Sequence, residues 1–420
     1  MEQAPKSLRL RIGFFGKTNT GKSSLLNLLT GQSTAIVSEQ AGTTTDVVEK
    51  NMELPPVGPV ILVDTAGLDD TSVLGPHRIA ATEKALKAVD VAVLVVDTGK
   101  WGEEEEAVAT ACGKNSTPLL ILRNKIDRYP LEQDETKELA KKAAGILTLS
   151  CHNAQQFHEE RQRVLQEFAR LVAQVTKAET KKPPLLLLDL LEKVEGLSLV
   201  VLVAPIDSEA PKGRLIMPQV MAIREALDGH GVAVITQPQE FAATLKALAT
   251  SPCLVVCDSQ VAKEVCQACP QDIPCTTFSI LLSRSKGDMV EQARGAARIE
   301  KLSAGDRVLI AEACTHHSIE DDIARVKIPR WIASYTQNAP LTISHCSGKE
   351  YPQNLNEYDV VIHCGGCMLT NREMGNRIGA ASEASVPITN YGMTIAALTG
   401  VLERCLSPFP QALAAYREVK

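Results

Sequence analysis

Apolar residues fall along this chain in short runs, and most runs stop at a glycine, an acidic residue or a cysteine before a stretch of helical spacing begins. Runs this short with such ends read as buried strands, and their alternation with helical patterns reads as βαβ units. The first set predicts strands at 9–15, 59–63, 119–122 and 146–149, with a helix at 24–30. A charged, proline-ended stretch at 176–184 then breaks the pattern. Beyond it, strands at 199–204, 232–235 and 253–257 alternate with helices at 217–227 and 241–249. From about residue 276 a third unit begins, with strands at 307–313, 341–345 and 358–362 and helices at 318–335, 371–385 and 393–405. The expected fold is α/β, a nucleotide-type domain at 7–175 followed by two smaller α/β domains with mainly parallel sheets, at 185–270 and 271–420.

Length agrees, since 420 residues exceed one ordinary core. Lys+Arg 44 against Asp+Glu 50 gives a formal charge of −6, with no basic run of five. That balance argues against a nucleic-acid partner, which wants a basic stripe. The charged start does not read as a signal peptide. The leucine-rich run at 185–191 is broken by Asp189 and falls far short of the ~20 residues of a membrane span. The expectation is a soluble, cytoplasmic protein without a membrane partner, in which twelve cysteines are thiols, ligands or core residues rather than disulfides.

The first predicted strand runs into Gly16-Lys17-Thr18-Asn19-Thr20-Gly21-Lys22-Ser23, a phosphate-binding loop in its strand–turn–helix setting. The turn residues Asn19, Thr20 and Gly21 and the helix start Lys22, Ser23 and Ser24 would turn N–H groups toward phosphates. Lys22 would bridge the β- and γ-phosphates, and the Ser23 hydroxyl would take Mg2+. Asp64-Thr65-Ala66-Gly67 closes the next predicted strand, with Asp64 holding Mg2+ through water and the Gly67 N–H sensing the γ-phosphate. Asn124-Lys125-Ile126-Asp127 follows, and the Asp127 carboxylate can accept two N–H groups of guanine that adenine does not present. An unpaired acceptor of that kind discriminates by roughly 10⁴–10⁵, so the motif selects GTP. Ser150 and Cys151 occupy the loop expected to touch the base.

On these motifs, residues 7–175 resemble the small GTPases of the TrmE–Era group. The resemblance implies that Gly42-Thr43-Thr44-Thr45-Asp46 is a first switch in which Thr44 gives Mg2+ a second hydroxyl. It makes Lys22, Thr44 and Gly67 the catalytic set, and Asn19 a K+ ligand beside the phosphates. Leu68 stands where related enzymes carry a water-orienting glutamine, which implies slow hydrolysis that K+ stimulates.

The middle domain shows no phosphate loop and no acid–base set, and Asp207, Glu209 and Asp228 read as solvated. An open sheet with a free edge strand invites a partner, so a homodimer is expected. In the third domain, three predicted strands deliver cysteine at their carboxyl ends, where ligands of open parallel sheets sit. Cys314-Thr315-His316, with His317 next to it, is followed 46 residues later by His363-Cys364-Gly365-Gly366-Cys367. Cys314, Cys364 and Cys367, with His316 or His363 as a replaceable fourth ligand, form a metal set; Cys346 is a reserve. Zinc and an iron–sulfur cluster both accept such donors. Cys266 and Cys269, with Cys275 close behind, are a weaker competing pair at a helix tail. Cys112, Cys151, Cys253, Cys257 and Cys405 read as small core residues.

The domain order together with Cys-x-His and His-Cys-x-x-Cys resembles the HydF family of [FeFe]-hydrogenase maturation GTPases. That resemblance implies a [4Fe–4S] cluster on Cys314, Cys364 and Cys367. It further implies a scaffold that carries a two-iron precursor to apo-[FeFe]-hydrogenase, working with two radical-SAM maturases. The other reading of the same residues is a tRNA-modification or ribosome-assembly GTPase with a zinc-binding C-terminal domain.

Overall fold

The computed structural model describes residues 9–31, 48–65, 85–97, 101–129, 133–156, 158–179, 185–192, 194, 196–206, 215–313, 322–348, 351–352 and 354–420. The chain divides into two compact units, Met1–Pro183 and Pro184–Lys420.

In the first unit, strands β1 (Leu10–Phe15), β2 (Val48–Leu54), β3 (Gly58–Asp64), β4 (Val91–Val96), β5 (Leu119–Arg123) and β6 (Gly145–Thr148) form one sheet in the order β2-β3-β1-β4-β5-β6. All neighbours are parallel except the β2–β3 pair. Helices α1 (Lys22–Thr30), α2 (Glu103–Lys114), α3 (Gln133–Lys142), α4 (Cys151–Gln156) and α5 (His158–Glu179) accompany it. Strand alternation sends Phe14, Val93 and Val95 into one core and Phe15, Leu94 and Val96 into another. The predicted strands of this unit are all present. Two more, β2 and β4, lay outside the expectation. β2 reads Val-Glu-Lys-Asn-Met-Glu-Leu, as polar as a loop, because it is an edge strand paired on one side only.

The second unit holds two four-stranded sheets. β7 (Leu199–Val203), β8 (Val232–Thr236), β9 (Leu254–Cys257) and β10 (Cys275–Thr277) lie in the order β10-β9-β7-β8. β11 (Arg307–Ala311), β12 (Thr342–Cys346), β13 (Val360–His363) and β14 (Ile388–Asn390) lie in the order β12-β11-β13-β14. Both sheets are parallel throughout. The helices of this unit are α6 (Met217–Asp228), α7 (Phe241–Ala247), α8 (Ala262–Ala268), α9 (Phe278–Lys286), α10 (Met289–Ile299), α11 (Ile328–Tyr335), α12 (Asn371–Glu383), α13 (Tyr391–Leu398), α14 (Leu402–Leu406) and α15 (Pro410–Val419).

The boundary expected at 270/271 is corrected here. β10 completes the earlier sheet, and one core joins Val201, Val255 and Leu281 to Ala293, Ala296, Met393 and Tyr416. The expected strand 307–313 stops at Ala311, and a π-helical turn at Ile323–Lys327 leads into α11. The single helix expected at 393–405 is two, α13 and α14, parted where Gly400 turns to a left-handed φ of 76°. Among the described residues, no helix is long and apolar enough to cross a membrane.

Candidate functional site

The phosphate loop leaves β1 at Gly16 and enters α1 at Lys22. Gly21 has φ 101°, and a Cβ there would lie 2.1 Å from Asn124 Nδ2, so only glycine fits. The Lys22 ammonium is buried and donates to the carbonyls of Gly16 (2.8 Å) and Lys17 (2.7 Å), bracing the loop from inside. Asn19, Gly21, Lys22, Ser23, Ser24, Asp64, Asn124, Lys125, Asp127, Ser150 and Cys151 line one cleft of about 540 Å³. Thr20 sits behind it, its hydroxyl donating to the Lys17 carbonyl (2.9 Å).

Asn124 links the two ends of the cleft. Its Nδ2 donates to the Thr20 carbonyl (2.9 Å), and its Oδ1 accepts from the Cys151 N–H (3.0 Å). Lys125 Nζ donates to the Asn19 carbonyl (2.5 Å) and pairs with Asp97 (2.8 Å). Asp97, at the end of β4, was not foreseen; a carboxylate directly after an apolar run was its only signal. The Ser150 hydroxyl bonds to the Asp127 carboxylate and holds it below the usual carboxylate range. Burial pushes the Cys151 thiol up to about 12, so it stays protonated beside the base site.

The residues present suit Mg2+. Ser23 Oγ lies 3.5 Å from Asp64 Oδ2, and Asp64 Oδ1 is buried with no hydrogen-bond partner among the described residues. A hydroxyl beside a carboxylate with an open oxygen suits a hard cation that keeps several waters. Burial raises the Asp64 pKa, against the opposing charge of Lys22. Thr44 and Gly67 lie outside the described residues.

The second cluster of chemistry is the carboxyl edge of the β12-β11-β13-β14 sheet. β11 lies between β12 and β13, and Ala311 stands opposite both Cys346 and His363. Just past this row the Cys364 N–H donates to the Ala311 carbonyl (2.8 Å). The Ala313 N–H in turn donates to Cys364 Sγ (3.1 Å). Ala313 immediately precedes Cys314 in the chain, so the described end of that segment lies against the Cys364 loop. Cys364 and Cys367 are half-buried, and Gly366 turns the loop between them with φ 63°. Lys286, the last residue of α9, donates to the carbonyls of Gly366 (2.9 Å), Cys367 (3.1 Å) and Leu369 (3.0 Å). Burial pulls the Lys286 pKa down to about 8, against the neighbouring Cys367 and Cys364 thiols, which hold it up. Soft, half-open thiols with an N–H on one sulfur are donors an iron–sulfur cluster accepts. Cys314 and His316 lie outside the described residues, and among the described ones no three His, Cys, Asp or Glu gather as a metal group.

His363 is one of the two histidines expected as a replaceable fourth ligand. It is fully buried, its Nδ1 donates to the Cys364 carbonyl (2.7 Å), and its Nε2 accepts from Arg377 (2.8 Å). Arginine can only donate, which fixes the tautomer in this arrangement. Burial, then the Arg377 charge, pull its pKa down to about 4. The competing thiols are core residues: Cys266 Sγ lies 3.7 Å from the sulfurs of Cys275 and Cys405, all buried among apolar side chains.

Comparison with known proteins follows the same division. Residues 11–125 match a family described as 50S ribosome-binding GTPase, 186–287 the hydrogen maturase F dimerization domain, and 288–408 the hydrogen maturase F tetramerization domain. Among curated proteins, GTPase Der of Wolinella succinogenes is 32% identical over 181 residues, 40% of this chain and 37% of that protein. The tRNA modification GTPase MnmE of Coxiella burnetii is 36% identical over 148 residues, 33% of this chain and 32% of that protein. The chain thus spans about a third of these relatives' length. Among solved structures, Aquifex aeolicus Era bound to GDP and aluminium fluoride is 26% identical with a TM-score of 0.30, covering 37% of this chain and 56% of that one.

Proposed function

The chain belongs to the hydrogen maturase F family, a GTPase unit followed by that family's two domains, and from that premise we propose that it binds a [4Fe–4S] cluster on Cys314, Cys364 and Cys367. As a hydrogenase-maturation GTPase it uses GTP and Mg2+, with Lys22 on the phosphates, Ser23 and Asp64 toward the metal ion, and Asp127 on the guanine. Its cargo is the two-iron precursor of the hydrogenase active site, received with the help of two radical-SAM maturases and passed to the apo-enzyme. When bound, the cluster supplies an iron with an exchangeable position. His316 or His363 is the candidate for that position, with His363 hydrogen-bonded to Arg377 and the Cys364 carbonyl. The family's dimerization and tetramerization domains imply oligomers, and the open edge of β8 supports a homodimer. Thr44 completes the Mg2+ shell, Gly67 reports the γ-phosphate, and Asn19 holds K+, so hydrolysis is slow and K+-stimulated.

One observation carries the cluster reading. The Ala313 N–H donates to Cys364 Sγ at a row of aligned strand ends, which brings the segment leading into Cys314 against the Cys364 loop. Anaerobic purification with iron, sulfide and zinc determination tests it. About four irons per chain are expected, lost on triple alanine substitution of Cys314, Cys364 and Cys367. A colourless protein holding zinc sinks the reading. Lys22→Ala abolishes GTP hydrolysis and leaves iron content unchanged; hydrolysis assayed in KCl and NaCl tests the Asn19 role.

A further inference from the structure

Lys286 is 4% exposed and has three carbonyl partners, all in the loop that carries Cys364 and Cys367. Three donors of an ammonium meet three acceptors, so the hydrogen bonding is complete. The charge is another matter. No carboxylate forms an ion pair with Lys286 among the described residues. The charge of the nearby Glu373 reaches Lys286 and favours its ammonium form, but the carboxylate makes its hydrogen bonds in the cap of α12, accepting from the Thr370 N–H (2.9 Å) and hydroxyl (3.1 Å). A buried ammonium whose direct partners are all uncharged carbonyls is costly to take out of water. Holding a loop needs donors, which a neutral side chain supplies without that cost. The arrangement makes physical sense when something anionic sits on the other face of the loop.

We propose that Lys286 is a positioning residue and fixed counter-charge for an anionic metal–thiolate group held by the Cys364–Cys367 loop. It orients the loop through the carbonyls of Gly366, Cys367 and Leu369, and it offsets thiolate charge from beneath. The inference rests on the cluster reading above and goes beyond it by naming what tunes the site. Cluster potentials respond to net charge and to hydrogen bonding around the sulfurs. Reduction adds one negative charge, so a buried cation favours the reduced form.

The test is an anaerobic redox titration of the full-length, cluster-loaded protein with dithionite, followed by EPR, on wild type, Lys286→Met and Lys286→Arg. Lys286→Met is expected to shift the reduction equilibrium on the order of tenfold toward the oxidised form, ~59 mV for one electron. Lys286→Arg returns it toward wild type, and GTP hydrolysis is unchanged in both variants. An unshifted midpoint in Lys286→Met at wild-type iron content overturns the inference. Should Lys286→Met lose iron while Lys286→Arg keeps it, the counter-charge role stands. Loss in both reduces Lys286 to a shape-specific clamp and overturns the charge role. Wild-type protein without iron would instead remove the cluster reading itself.

Discussion

Asn124 shows how much one buried side chain can carry. Its amide spans from the Thr20 carbonyl in the phosphate loop to the Cys151 N–H in the base loop. Asn124→Ala removes both bonds and leaves buried groups unpaired, at about 2 kcal/mol in all. Calorimetry should then find GTP bound roughly thirtyfold more weakly. Cys151 gives a chemical check nearby. With its pKa pushed up to about 12 by burial, it is overwhelmingly the neutral thiol at pH 8. Mass spectrometry after iodoacetamide treatment at pH 8 should find Cys151 unmodified in the folded protein. The motif around Asn124 was legible because four residues in line define it. The state of His363 was not, because Arg377, fourteen positions on in α12, decides whether its ring is free. Adjacency in sequence put His363 beside a candidate ligand; its partner comes from another element.

Between elements, close approach sets the tolerances. A Cβ on Gly295 in α10 would lie 2.1 Å from the Ile388 carbonyl oxygen of β14. Backbone cannot step aside as a flexible side chain can, so Gly295→Ala should cost about 1–3 kcal/mol. Thermal melting should fall by roughly 3–10 °C for a unit of this size. Strand positions were legible from short apolar runs, since a strand buried on both faces has little else to be. The helix–sheet contact at Gly295 was not, because a lone glycine in a helix has no sequence signature of what it touches. The misplaced boundary at 270/271 has a similar cause. β10 is three residues long and marked by Cys-Thr-Thr, which reads like a loop until the pairing with β9 is seen.

At the scale of the molecule, two compact units carry separate cores. GTP at a hundred times its dissociation constant stabilises the state that binds it by about 2.7 kcal/mol. Differential scanning calorimetry should show one transition rising by roughly 5–10 °C with GTP and Mg2+ and the other staying in place. A common shift of both transitions would show that the units unfold together. The division itself was readable in the charged, proline-ended stretch at 176–184. The fusion of the two later sheets was not, because α10, α13 and α15 share a core with residues as far back as Leu186.

The strand order β12-β11-β13 also says something about how the protein is born. Cys314 leaves the ribosome fifty residues before Cys364, and the strand that flanks β13, β14, is made later still. A fragment that ends before Cys367 lacks part of the donor set proposed above, so on that reading the metal arrives when synthesis is nearly finished. If the proposed cluster is the cargo site, a cell starved of iron would accumulate complete, nucleotide-binding chains that wait to be filled.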